Sequence, residues 1–278
     1  MGYGDQIIGT GLAKGAAARG KRIAFGDGKQ ILWDHHSEEI FRNNPNIAPP
    51  GSEGSADLEW IDFYRGNRLY NRVSSDGTRW KWNHNFKSTP GELYFDEKEI
   101  NAAKLHGSGF IIIEPSVPHW KGCAINKDWG QLKYWKLAKR LKWAGLDVRQ
   151  FKYGGYRPNE HCKEIKTPTF RQACAVLANA KLYIGPEGGM HHAAAALGIS
   201  AVVLFGGFIP PSVSGYDSHT NLTGSASACG SLKRCDHCIR AMHAISLDEV
   251  EKAALKYLGP HVPNAITIAA MREIEQSA

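Results

Sequence analysis

Short apolar runs alternate with amphipathic stretches along this chain, and that alternation predicts α/β units built around parallel strands. Lys21 to Phe25 is a strand-length run closed by the turn-forming Gly26-Asp27-Gly28. Residues 37–43 have the pattern of a short helix stopped by Asn43-Asn44-Pro45, and Pro49-Pro50-Gly51-Ser52 marks a loop. Leu58 to Phe63 and Leu69 to Val73 are further strand candidates, and Asp96 to Lys104 is a helix candidate.

The second half is more regular. Gly109 to Glu114 is an apolar strand, and Asp128 to Ala144 has helical periodicity, with Leu132, Trp135, Ala138 and Leu141 expected on the inner face. Gly145 is placed to end that helix, and Leu146 to Phe151 follows as a strand. Thr169 with Gln172, and Ser246 with Glu249, have capping-box spacing; they open helices expected to run to Asn179 and Leu258. Leu182 to Ile184 and Ala201 to Phe205 are buried strands, with a short helix over His191 to Leu197 between them. A composition shift near residues 104–108 divides the chain into an expected N-terminal domain, 1–106, and a C-terminal domain, 107–278. No fixed-period repeat or low-complexity tract interrupts this order.

Composition narrows the class. The chain has 278 residues, 42% hydrophobic and 22% charged, which is ordinary globular usage and excludes a disordered or fibrous protein. No apolar run approaches the roughly 18 residues of a membrane span. No secretory signal is visible at the N-terminus, so the six cysteines are expected as reduced thiols or metal ligands in a cytoplasmic protein. The net charge of +7 favours anionic partners: nucleotides, phosphorylated glycans, DNA or the inner face of a membrane. A solvated surface with excess lysine explains the charge equally well.

The densest chemistry lies in Tyr183-Ile-Gly-Pro-Glu-Gly-Gly-Met-His-His192, followed by four alanines. A buried strand ends, glycines follow an acid, and a helix of small residues starts at once. Unpaired N–H groups at such a corner attract anions, and glycine lets a ligand approach the backbone. A purely structural corner with Glu187 as a solvated cap has the same pattern. The glycine cluster Gly2 to Gly15 is a weak match to dinucleotide loops, and Asp5 within it suits a helix cap as well as a base.

Gly4-Asp5, Lys127-Asp128-Trp129 and Glu187-Gly-Gly-Met-His-His192 together resemble glycosyltransferase family 9, the lipopolysaccharide heptosyltransferases and their relatives. Ile40 to Asn46 and the cysteine-bearing segment Cys229 to Cys238 add to the likeness. The chain departs from the family in three places: only three residues precede Gly4 where a full strand is usual, Glu-Gly-Gly stands where Asp-Thr-Gly is familiar, and the N-terminal half, the acceptor side, is short. The resemblance implies a GT-B architecture, two Rossmann-like domains about a cleft, with the N-terminal one reduced. It also implies an inverting, metal-independent transfer of a sugar, such as heptose, from a nucleotide-diphosphate sugar to a hydroxyl of a surface glycan. Asp5 would be the general base and Lys127 a diphosphate ligand. Glu187 would contact the sugar, Gly188, Gly189 and Met190 would offer N–H groups to the phosphates, and His192 would support the loop. No cofactor is required by this chemistry. A version acting on hydroxylated bases in DNA, and an epimerase sharing the same phosphate site, remain open.

Cys229, Cys235, Cys238 and His243 have spacings that fit a tetrahedral zinc site, against the alternative of a reduced thiol cluster that packs the domain tail. With Trp80 and Trp82 they support a competing reading, a zinc-stabilised module that binds nucleic acid or glycan without catalysis. Arg79 to Lys87 also alternates as a half-buried strand would. The lysines around Trp135 suit a solvated face or peripheral membrane contact. Cys123, Cys162 and Cys174 are expected as buried thiols, His119 and the other scattered histidines have no ligand spacing, and Gly215-Tyr216-Asp217 has no assigned role.

Overall fold

The computed structural model describes residues 1–117 and 122–259, so His119 and the last part of the expected 107–278 range lie outside the described residues. The N-terminal half begins with α1 (Tyr3–Ala17), whose Ile7, Ile8, Ala13 and Ala16 are buried. Then come β1 (Arg22–Phe25), α2 (His35–Phe41) and β2 (Leu58–Ile61). β1 and β2 pair in parallel, from Arg22 opposite Leu58 to Phe25 opposite Ile61. A hairpin of β3 (Asn71–Val73) and β4 (Trp80–Trp82) follows, and α3 (Glu97–Lys104) closes the half. Among the described residues, the N-terminal sheet has two strands.

The C-terminal half contains β5 (Ile111–Ile113), a 3-10 turn (Ala124–Lys127), α4 (Gln131–Trp143), β6 (Val148–Lys152) and β7 (Lys163–Lys166). It continues with α5 (Phe170–Leu177), β8 (Leu182–Pro186), α6 (Gly189–Ala196), β9 (Ser200–Leu204) and α7 (Pro211–Ser214). β10 (Thr220–Leu222), α8 (Asp236–Ala244) and α9 (Leu247–Leu258) complete it. Its six parallel strands lie in the order β10-β9-β8-β5-β6-β7. The chain therefore winds outward from β5 to β7, returns, and winds the other way from β8 to β10. That is the doubly wound order, and its switch point lies between β5 and β8.

Local chemistry explains where these elements stop and start. Thr169 Oγ1 accepts from Gln172 N at 3.2 Å while Gln172 Oε1 accepts from Thr169 N at 3.3 Å, closing the expected capping box. Ser246 Oγ accepts from Glu249 N at 3.1 Å at the start of α9. Gly145, with φ of 79°, takes the left-handed turn after α4 that a side chain would resist. The inner face of α4 differs from expectation. Tyr134, Leu137, Ala138 and Leu141 are buried, whereas Leu132 is 64% exposed and Trp135 only half-buried. Tyr134 extends the apolar stripe one residue off the expected face, with its ring edge-on to the buried Trp129.

Arg171 joins the two halves. Buried on α5, it bonds Glu99 of α3 through Nη2 at 2.8 Å and donates to the Glu39 carbonyl of α2 through Nη1 at 2.7 Å. Among the described residues, no helix is long and apolar enough to cross a membrane.

Candidate functional site

Two carboxylates mark the switch point. Glu114 directly follows β5, and Glu187 directly follows β8. The corner after Glu187 turns at once into α6, whose first intrahelical bond runs from His192 N to the Gly188 carbonyl at 3.2 Å. The N–H groups of Gly188, Gly189 and Met190 precede that bond and lie at the positive end of the helix. The N-terminus of α1 is packed against the same place. A Cβ on Gly4 would meet His192 Cδ2 at 3.0 Å and the Gly189 backbone at 3.4 Å, so a side chain there would have to push His192 or part the two helix starts by a few tenths of an ångström.

The charged groups are paired. Lys127 Nζ donates to Glu187 Oε2 at 2.9 Å, and His192 Nε2 lies 3.4 Å from Glu187 Oε1. Burial by itself would raise the Glu187 pKa, but Lys127 and His192 outweigh it and hold the carboxyl well below its usual range. His192 Nδ1 meets the Tyr216 hydroxyl at 2.8 Å, which fixes the ring. Across the gap, Asp5 Oδ1 accepts from Arg68 Nε at 2.8 Å and from the Tyr70 hydroxyl. Its Oδ2 accepts from Arg68 Nη2 at 3.1 Å and Gly2 N at 2.8 Å. Burial again opposes ionisation of Asp5, and Arg68 and Tyr70 win, keeping its pKa low.

Two cavities open from this corner. One, of about 430 Å³, extends from the corner past Glu114, Phe151, Tyr153 and Pro168. The other, of about 320 Å³, is bounded by Asp5, Arg68, Tyr70, Trp80 and Trp82. Lys127, Glu187, Gly188 and Gly189 line both, so the cavities meet there. Tyr3 and Phe170, stacked at 4.2 Å, also border both. The structure thus brings Asp5, Lys127, Glu187, Gly188, Gly189, Met190 and His192 to one cleft, from positions spread over about two thirds of the sequence.

Several details differ from the sequence-based expectation. Asp5 lies inside the first turn of α1, not ahead of the helix, because α1 begins at Tyr3. Lys127 ends the 3-10 turn, and α4 starts only at Gln131, after Gly130 breaks the chain direction with φ of 100°. Cys162 and Cys174 are buried as expected, but Cys123 is partly exposed and lines both cavities. Arg68, Tyr70 and Glu114 carry no sequence motif, whereas Tyr216, in the Gly215-Tyr216-Asp217 loop without an assigned role, reaches the corner through His192.

Cys229, Cys235 and Cys238 converge, with Cys229 Sγ at 3.1 Å from Cys238 Sγ and 3.7 Å from Cys235 Sγ. The thiols shift in opposite directions: burial tends to raise the Cys235 pKa but the Cys238 backbone N–H and the Cys229 thiol lower it, while burial and the neighbouring thiols push that of Cys238 up. These three sulfurs fit three positions of a tetrahedral site for a thiophilic metal. His243, the expected fourth ligand, is exposed on α8 and does not join them. None of the three thiols lines either cavity.

Glu114 has an electrostatic signature of its own. Its Oε1 accepts from Ser116 N at 2.9 Å and the Tyr153 hydroxyl at 3.1 Å, both neutral donors, and burial pushes its pKa up to about 7. The folded chain therefore holds a proton that the unfolded chain releases near pH 4.5, so this group's contribution to stability falls between about pH 4.5 and pH 7 and is flat above. At 1.36 kcal/mol per pH unit the cost is about 3 kcal/mol at pH 8. Glu114→Gln is expected to be more stable than the parent by that order at pH 8 and nearly equal to it at pH 4, by urea midpoints. An equal difference at both values would remove the buried ionisation.

No protein-family model and no curated protein matches the sequence. Solved structures do match. The glycosyl transferase family 9 protein of Veillonella parvula DSM 2008 aligns with 93% of this chain and 95% of its own, with a TM-score of 0.61 and 14% identity. The fold is that of a family 9 glycosyltransferase. TibC from enterotoxigenic E. coli H10407, described as an iron-containing dodecameric glycosyltransferase, aligns over 78% of this chain and 64% of its own (TM-score 0.54, 15% identity). A complex of TibC with ADP-D-β-D-heptose aligns over the same shares, with a TM-score of 0.51 and 13% identity. Against E. coli ADP-heptose heptosyltransferase II the match covers 60% of this chain and about half, 53%, of that enzyme (TM-score 0.44, 19% identity). The GT-B fold expected from the motifs is therefore present, with the six-stranded C-terminal sheet complete and the N-terminal sheet reduced.

Proposed function

We propose that this protein is an inverting glycosyltransferase that moves a sugar from a nucleotide-diphosphate sugar to a hydroxyl acceptor. One observation carries the reading: Asp5 faces, across a single cleft, the corner where Lys127 and the first amides of α6 are exposed to a ligand. The larger cavity suits the nucleotide, since doubly wound sheets bind such ligands at the switch point. The smaller suits the acceptor, with Trp80 and Trp82 as flat apolar walls for a sugar ring. Heptose is the first sugar to test, because the TibC structure of the same fold holds ADP-D-β-D-heptose.

In this mechanism the anomeric carbon loses its bond to the diphosphate as an acceptor hydroxyl attacks the opposite face. Asp5 takes the hydroxyl proton, which becomes strongly acidic as the new C–O bond forms, so a carboxylate of low pKa suffices. Lys127 leaves Glu187 to meet the growing negative charge on the leaving diphosphate, aided by the amides of Gly188, Gly189 and Met190. His192 stays beside Glu187, whose carboxylate is then free to accept from a hydroxyl of the transferred sugar.

These residues supply the charge stabilisation, so the transfer step is assigned without a metal. An ion at Cys229, Cys235 and Cys238 would tie the segment before α8 to the start of that helix, a structural role outside the two cavities. The test is a thermal-shift panel of nucleotide sugars and nucleoside diphosphates, followed by a transfer assay with the best donor, with and without a chelator. A donor that raises the melting temperature and is consumed at the same rate with chelator is the expected result. No shift with any member of the panel would refute the donor site, and chelator-sensitive turnover of folded protein would refute the metal-independent step.

A further inference from the structure

We propose that Glu114 is the ribose anchor of the larger cavity and makes it select ribonucleotides over their 2′-deoxy counterparts, an inference that rests on the reading of that cavity as a nucleotide site. The mechanism above leaves this buried carboxyl unused, although it stands on one of the two strand ends that define the switch point.

The sheet itself provides the ruler. Adjacent strands are about 4.8 Å apart. A diphosphate on the α6 amides sits over the end of β8, which places the next unit of the ligand over β5 and the unit after it over β6 and β7. Over β6 and β7 the cavity is bounded by Phe151, Tyr153, Pro168 and Phe170, flat and largely apolar surfaces suited to a nucleobase. Over β5 stands Glu114. Its backbone is fixed against β8: a Cβ on Gly185 would meet Glu114 Cβ at 3.1 Å.

The chemistry of Glu114 selects what can lie there. A buried carboxyl whose hydrogen-bond partners are neutral is costly, and an apolar side chain would pack the same wall at less cost. Once ionised, it is satisfied by hydrogen-bond donors and repelled by phosphate oxygens. A ribose 2′,3′-diol offers two donors and no charge. Doubly wound nucleotide sites commonly hold the ribose with an acid; here it comes from the first strand of the sheet. Glu187, the other acid at the switch point, lies at the phosphate corner beside Lys127 and is assigned to a hydroxyl of the transferred sugar.

Calorimetry on the full chain tests this, with ADP, GDP, CDP and UDP and the 2′-deoxy form of whichever binds tightest. At pH 8, where Glu114 is ionised, the wild type is expected to bind the ribose form about ten- to a hundredfold more tightly, the range of one hydrogen bond to a charged group. Glu114→Leu should lose that preference, bringing the two forms within about threefold. Glu114→Gln, which keeps the shape, should lower it in a chain whose melting curve confirms folding. Lys127→Ala should weaken both forms alike. Equal binding of both forms by the wild type, or a full preference retained in Glu114→Leu, overturns the role of Glu114 while leaving the nucleotide site standing. Absence of binding by every diphosphate would instead refute the nucleotide reading and this inference with it.

Discussion

Asp5→Asn is expected to lower turnover by about 10²–10⁴-fold while leaving nucleoside diphosphate affinity within about twofold of the parent. The substitution preserves size and can keep an acceptor oxygen toward Arg68 and Tyr70, but it removes the group proposed to take the proton. Affinity should survive because Asp5 bounds the smaller cavity and not the larger one. The surroundings of Asp5 add a second, sharper expectation. Its two oxygens already receive four donors, from Arg68 twice, Tyr70 and Gly2. A carboxylate has about four such positions, so an acceptor hydroxyl must displace one donor to reach it. If Asp5 is the base, as proposed, Arg68 is a positioning residue that also keeps it ionised. Arg68→Gln should raise the Asp5 pKa and move the acid limb of the kcat/KM profile to higher pH. Unchanged turnover in Asp5→Asn would remove Asp5 from the chemistry, and an unmoved acid limb in Arg68→Gln would separate that limb from Asp5.

The contrast between Asp5 and Arg68 also shows what sequence can and cannot reveal. β1, β5, β8 and β9 were legible because each is a short apolar run bounded by turn residues, and the caps at Thr169 and Ser246 because their spacing is local. β7, with the sequence Lys-Glu-Ile-Lys, carries one buried side chain at the sheet edge and has no pattern to detect. α4 was legible as a helix, but its inner face was not, since Leu132 and Trp135 are as apolar as the residues that are actually buried. Lys127, Glu187 and His192 stood out because glycines and a strand end surround them. Arg68 and Tyr70 reach Asp5 from more than 60 positions away and sit in an unremarkable stretch, so only the folded chain joins them. Glu114 carries a positional signal in the sequence. It ends the first strand of the larger half, the position where a doubly wound sheet receives its ligand.

Lys127→Ala should have the largest effect on the corner itself, and its consequences divide into two that can be separated. The lysine and Glu187 are both largely buried, with side-chain exposures of 18% and 8%. Removing the ammonium leaves a buried carboxylate short of its main partner, which typically costs about 3–5 kcal/mol and should appear as a lower urea midpoint at neutral pH. The Glu187 pKa should rise, so the loss should shrink as the pH falls and the carboxyl is neutralised. Diphosphate affinity should fall about ten- to a hundredfold, the range of a charge-assisted hydrogen bond. The double variant Lys127→Ala with Glu187→Gln distinguishes the two causes. Neutralising the acid should restore most of the stability, because no charge is then buried without a partner. It should not restore affinity, because the missing ammonium was the ligand for the phosphates. Recovery of affinity together with stability would mean that Lys127 serves only to neutralise Glu187, and the α6 amides would then be left to hold the diphosphate alone.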